Sequence, residues 1–177
     1  MADTIGKKNN ETAIYEMLFR DYYAPMVLYA DKSLKDRQLA EDVVQDVFSR
    51  LIQKGRDFEL GNKTKHLLFT MLRNQVIDVI RQNKRRKLEP VKETPDEFSI
   101  EDAVFEIELY QRLYKAVETL PRKNRCVMQM KLQGMSDAEI AESLGIGYET
   151  VRSHVKNGII SLRGKFSDSL LIILFLL

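Results

Sequence analysis

Two sets of polar side chains in this sequence could do chemistry, and in both cases it is recognition rather than bond breaking. Tyr148, Glu149, Arg152, Ser153 and Lys156 make up the first set. Arginine can give two parallel hydrogen bonds to a guanine edge, and serine can bond several base edges or a phosphate. Lysine suits phosphate, which positions a protein on DNA without reading sequence. Glu149 fits the first turn of a helix, where the dipole favours a carboxylate; it could instead accept from a cytosine amine. The second set is Asn74, Asp78, Arg81 and Arg85, at spacings of four, three and four, which lines one face of a helix. Arg81, Lys84, Arg85, Arg86 and Lys87 crowd the end of that segment, more cations than a helix terminus needs. Each phosphate they neutralised would release a counterion.

Hydrolytic and redox sites are not legible. There is no glycine-rich phosphate loop and no nucleophile elbow. His66, His154 and the single Cys126 are too scattered to form a metal set, so no metal and no cofactor is expected, and no enzyme. One cysteine cannot form an internal disulfide, which fits a reducing, cytoplasmic compartment. The first ten residues lack the apolar stretch of a signal peptide.

The first set belongs to a recognisable element. Residues 135–156 read as two short helices around a glycine corner. Ser136 and Glu139 have the spacing of a capping box. Ile140, Ala141 and Leu144 are the expected buried stripe, and Gly145 supplies the positive φ that ends the first helix. The second helix starts at Tyr148 and turns Val151, Val155 and Ile159 inward. A small residue, a turn glycine and a β-branched plug at Ala141, Gly145 and Val151 is helix-turn-helix spacing, in which the second helix enters the major groove.

The rest of the chain reads as helix. Apolar residues repeat helically over 11–30, with Pro25 expected to kink or divide that helix. A second helix, 36–54, has a wide apolar stripe from Leu39 to Leu51 and an acidic, glutamine-bearing opposite side. A polar loop, 55–65, precedes the helix of the second set, 65–87. Prolines 90 and 95, among acids, deny 88–99 a helix. Helices resume over 101–120 and from Pro121. The total charge of +2 hides an uneven distribution. Residues 1–87 hold 17 basic and 12 acidic side chains, 88–121 hold 3 and 9, and 122–177 hold 8 and 5. Two basic blocks therefore flank an acidic connector, as two polyanion-binding surfaces would. Residues 170–177 are continuously apolar, but eight residues cannot cross a bilayer, so stable membrane insertion is not expected. Burial of this tail on an apolar groove is expected instead.

The fold expected is all-α: two small helical domains joined by an acidic linker, the second a helix-turn-helix four-helix module. The boundaries are 1–87, 88–103 for the linker, 104–166, and 167–177 for the tail.

This arrangement resembles the bacterial sigma factors of the extracytoplasmic-function (ECF) group, over about residues 11–166. Residues 40–51, A-E-D-V-V-Q-D-V-F-S-R-L, resemble the family helix that binds the clamp coiled coil of RNA polymerase. The resemblance implies that Asp42, Gln45, Asp46 and Phe48 meet core polymerase. Residues 72–81, L-R-N-Q-V-I-D-V-I-R, resemble the helix that reads the minus-ten promoter element, with Asn74 and Asp78 at base-contacting positions. The loop before it, with Leu60, Asn62 and Lys63, would hold a flipped-out base of the melted strand. The second domain resembles the module that reads the minus-thirty-five element as duplex. The implied function is promoter recognition and opening on behalf of core polymerase. Core polymerase and promoter DNA are the implied partners, and an anti-sigma protein is a further partner the family allows. Gly147, where the family commonly has a Ser or Thr cap, and the apolar tail are departures from the pattern. The competing reading is a stand-alone helix-turn-helix regulator of the response-regulator output type, which leaves 11–87 unexplained.

Overall fold

The structure is a computed structural model and describes residues 2–53, 62–86 and 99–163. They form seven helices and no strand among the described residues. Two compact units divide the chain, Met1–Glu108 and Leu109–Leu177.

The first unit contains α1 (Ala2–Leu34), α2 (Arg37–Gln53), α3 (Asn62–Arg86) and the start of α4 (Ile100–Glu118). Its core takes Leu18, Tyr22, Met26 and Tyr29 from α1, Val44, Val47 and Leu51 from α2, and Leu68, Phe69, Leu72 and Val76 from α3. Pro25 does not divide α1, contrary to expectation. A proline inside a helix costs about 3 kcal/mol. Here the turn around it is buried from Tyr22 to Ala30, and that apolar burial outweighs the missing hydrogen bond. Pro25 is itself buried, so its ring adds to the same core.

The α1–α2 corner is tight. Lys35 adopts φ 54°, a left-handed conformation unusual for a residue with a side chain. Its N–H returns to the Asp31 carbonyl at 2.7 Å. Asp36 then caps α2, its Oδ1 accepting from the Leu39 N–H at 3.0 Å. Leu39 itself is only half-buried, at the edge of the expected stripe.

Ser99 caps α4 in the same way, accepting from the Asp102 N–H at 3.0 Å. Residues 100–103, expected in the linker, are therefore the first turn of a helix. Ala103 and Ile107 are buried, and Glu106 meets Lys32 of α1 at 2.6 Å, which is why the units divide after Glu108. Tyr29 lies beside this contact, and burial together with the Glu106 charge pushes its phenol up to about 12. Residues 88–98 and the apolar tail lie outside the described residues.

The second unit holds the rest of α4, α5 (Arg122–Leu132), α6 (Asp137–Leu144) and α7 (Tyr148–Arg163). Tyr110, Leu113, Val117, Met128, Leu132, Ile140, Val151 and Leu162 form its interior. Gly158 of α7 sits where a Cβ would lie 2.8 Å from Met128 Cγ, so α5 and α7 approach more closely than any side chain there would permit.

Candidate nucleic-acid interface

In the second unit, local hydrogen bonds aim the recognition helix. Ser136 Oγ accepts from the Glu139 N–H at 3.3 Å, and Glu139 Oε2 accepts from the Ser136 N–H at 2.7 Å. The expected capping box is thus complete. The Ser136 backbone N–H and hydroxyl together hold the Glu139 carboxyl below its ordinary value.

At the other end of α6, Gly145 has φ 62°. Ile146 N–H reaches the Ala141 carbonyl at 3.0 Å and Gly145 N–H the Glu142 carbonyl at 3.2 Å, a Schellman closure. The end of α5 repeats it, with Gly134 at φ 84° and Met135 N–H on the Met130 carbonyl at 3.2 Å. Ile140, Val151 and Val127 then pack into one cluster that fixes the corner, with Ala141, Ile146 and Val155 against it. Leu144 differs from expectation and is exposed. It is the last residue of an eight-residue helix, and the chain turns away at Gly145 before anything can cover it.

Tyr148, Glu149, Arg152, Ser153 and Lys156 are all exposed on α7. Glu149 and Arg152 form a 3.6 Å ion pair open to water, an interaction weak enough to exchange for a base edge or phosphate. Sequence reasoning missed the seating of α7 on α5 through His154. Its Nδ1 lies 2.8 Å from Asn124 Oδ1, an acceptor, so that nitrogen carries the hydrogen. The two residues are thirty apart in sequence, and no local pattern marks the pair.

In the first unit, α3 presents Asn74, Asp78, Arg81 and Arg85, all exposed as their spacing predicts. Asn74 Oδ1 accepts from Arg73 Nη1 at 3.2 Å. Asn62 and Lys63 belong to the first turn of α3 and not to a loop. Thr64 is buried there, and Lys65 stands 5.6 Å over the Tyr22 ring, which together anchor the extra turn. The Tyr22 hydroxyl also raises the Lys65 amine above its ordinary value. Lys63 is exposed; Leu60 lies outside the described residues.

On α2, Asp42 and Gln45 are exposed, and Gln45 Nε2 donates to the Tyr23 hydroxyl at 3.4 Å. Phe48 must be reassigned. It is 4% exposed, and its ring packs edge-on against Phe19 with centroids 5.1 Å apart, so it supports the surface from beneath. Phe19 itself is 48% exposed and stacks on Tyr23 at 4.6 Å. Asp46 turns toward α3, bonding Arg50 at 2.8 Å and Gln75 at 3.3 Å.

Between α2 and α3 lies a groove of about 460 Å³, lined by Val47, Arg50, Gln53, Met71, Asn74, Gln75 and Asp78. Arg50, Gln53 and Gln75 were not singled out from sequence. The only signal was their i, i+3 and i+4 spacing to Asp46 and Asp78, which any solvated helix face shares. Among the described residues there is no group of three or more side chains able to hold a metal ion. No described helix is long and apolar enough to cross a membrane.

The two units correspond to two family patterns. Residues 18–86 match Sigma-70 region 2, and residues 110–162 match Sigma-70, region 4. The RNA polymerase sigma factor SigZ of Bacillus subtilis is 27% identical over 88% of this chain and 86% of its own length. The ECF RNA polymerase sigma factor SigL of Mycobacterium tuberculosis is 30% identical, covering 92% of this chain and 94% of its own. The ECF RNA polymerase sigma factor RpoE of Cereibacter sphaeroides is 26% identical over 91% of each. The stand-alone regulator is not favoured, because the region 2 match covers the part of the chain that reading leaves unexplained. With both regions present in order and relatives aligned over nearly the whole chain, this protein belongs to the ECF sigma factors, which direct promoter recognition in transcription initiation.

Proposed function

We propose a division of labour between the two units. The first binds core RNA polymerase through the exposed Asp42 and Gln45 strip of α2. It reads the minus-ten element as melted strand through Asn74 and Asp78, with Arg81 and Arg85 on phosphates. The second holds the minus-thirty-five element as duplex, with Arg152 and Ser153 at base edges and Lys156 on the backbone. Promoter opening needs both kinds of grip, one on unpaired bases and one on intact helix. Neither grip requires a catalytic residue, since the polymerase makes the phosphodiester bond.

The observation that carries this reading is the exposure of both polar sets, each on a helix whose opposite side is buried in its own unit. The factor would act in the cytoplasm, where polymerase and chromosome are. An anti-sigma protein that silenced it would have to cover one of these two faces.

Run-off transcription with purified core polymerase tests the proposal. Core polymerase with this protein should start at defined sites, and the protein alone should bind promoter duplex poorly. Arg152→Ala should relax preference in the upstream element by about 1–3 kcal/mol at one base pair. Asn74→Ala should spare duplex docking and impair opening. Tight, selective binding of one operator by the protein alone, with no polymerase dependence, would refute the scheme.

A further inference from the structure

Asp46 behaves differently from the α2 strip with which the family resemblance groups it. Asp42 and Gln45 face solvent, and Gln45 reaches toward α1. Asp46 faces α3. Its Oδ2 lies 2.8 Å from Arg50 Nη2 and accepts from Gln75 Nε2 at 3.3 Å. Arg50 Nη1 closes the ring by donating to Gln75 Oε1 at 3.0 Å.

Each of these contacts is open to water, with the Asp46 and Arg50 side chains 43% and 53% exposed, so none is strong alone. A closed ring of three has a different consequence. It fixes three rotamers jointly, and it joins two helices whose contributing residues lie 25 and 29 apart in sequence.

The ring forms a wall of the groove that also presents Asn74 and Asp78, over a floor of Val47 and Met71. An apolar floor with a guanidinium, carboxamides and a carboxylate on its rim suits an unstacked base: the floor meets the ring, and the rim meets its edges.

Resting on the reading of α3 as the strand-reading face, we propose that Asp46 is a positioning residue for that face and not a polymerase contact. It holds Arg50 in place, and Arg50 is a specificity-determining residue contributed by α2. Polymerase binding and base reading therefore part company between Gln45 and Asp46, one residue apart on the same helix.

The test separates the two roles. Wild-type protein and the variants Asp46→Asn, Asp46→Glu, Arg50→Ala and Gln75→Ala are titrated against core polymerase. Each reconstituted holoenzyme then selects from fork-junction DNA with a randomised unpaired strand, and the bound pool is sequenced. Asp46→Asn and Arg50→Ala should leave core affinity within about twofold while lowering preference at one unpaired position by about fivefold or more, other positions being unchanged. Asp46→Glu, which still reaches Arg50 one turn away, should restore the preference. Gln75→Ala gives the same readout from α3 and covers the case of a poorly folding Asp46 variant.

Weakened core affinity with unaltered base preference in Asp46→Asn would make it a polymerase contact and overturn the inference. Uniform weakening at every position in Arg50→Ala would overturn its specificity role. A wild-type holoenzyme that selected no unpaired sequence would instead overturn the strand-reading assignment itself, and this inference with it.

Discussion

The two units present their polar faces by different means. In the second, everything that aims the recognition helix lies within a few residues of it: the Ser136–Glu139 box, the Gly145 corner and the Val151 plug. In the first, the groove is walled by side chains of two separate helices, and the α1–α2 turn is held by a lysine in a left-handed conformation. A locally wired site tolerates change elsewhere in its unit and fails when its own caps are cut. A groove between helices depends on packing, so distant changes reach it. Four substitutions probe this contrast.

The largest effect is expected from Gly158→Val. The new side chain would press on Met128 Cγ and Sδ, where even a Cβ comes within 2.8 and 3.0 Å. Overpacking of this kind costs about 1–3 kcal/mol. Urea unfolding should show the loss, with hydrogen exchange placing it in residues of α5 and α7. An unchanged midpoint would mean that the second unit depends less on tertiary packing than the contrast assumes.

Ser136→Ala removes the side-chain half of the capping box and should cost about 1 kcal/mol. It also carries a pH signature. The Glu139 carboxyl lies below its ordinary 4.5 in the folded state, so its contribution is present above that value and lost as pH falls through the folded one. Wild-type stability should decline over that acid window, and Ser136→Ala should flatten the decline. Parallel curves for the two proteins would show that the box is not wired as described.

Lys35→Gly acts on the first unit. Glycine takes φ 54° without the cost that a Cβ imposes, about 1 kcal/mol or more, part of which its freer unfolded chain offsets. A net gain of a few tenths to 1 kcal/mol is expected in thermal unfolding. Destabilisation would show that the Lys35 side chain matters more to the corner than its backbone does.

The smallest effect belongs to Gly147→Ser. Gly147 precedes α7, its carbonyl accepts from Thr150 and Val151, and a Cβ would meet only Thr150 Oγ1 at an ordinary 3.6 Å. A serine can cap the helix with its hydroxyl, for a gain of a few tenths of a kcal/mol. A loss would mean that the close approach to Thr150 is already filled.

Legibility in the sequence followed the same division. The capping box, the glycine corner and the exposed set on α7 were readable because capping and turn chemistry act over three to five residues. Leu144 was misplaced because burial at a helix end depends on where the chain goes next. Pro25 was misjudged for a related reason: its local cost is fixed, but the burial that overcomes it comes from α2 and α3. Phe48 has the same sequence position on its stripe as a surface anchor would, and only Phe19 of α1 shows that it lies beneath the surface.

What the sequence alone determined is which faces are apolar and which are polar, because helical periodicity is a property of neighbours along the chain. From that followed two helical units, the helix-turn-helix, and the two sets of DNA-suited side chains. Only the tertiary structure decided which polar residues on one helix share a partner. Asp46 and Gln45 are adjacent in sequence, yet one bonds α3 and the other α1. Successive helical residues point about 100° apart, and which helix stands on each side is set by packing between segments far apart in the chain.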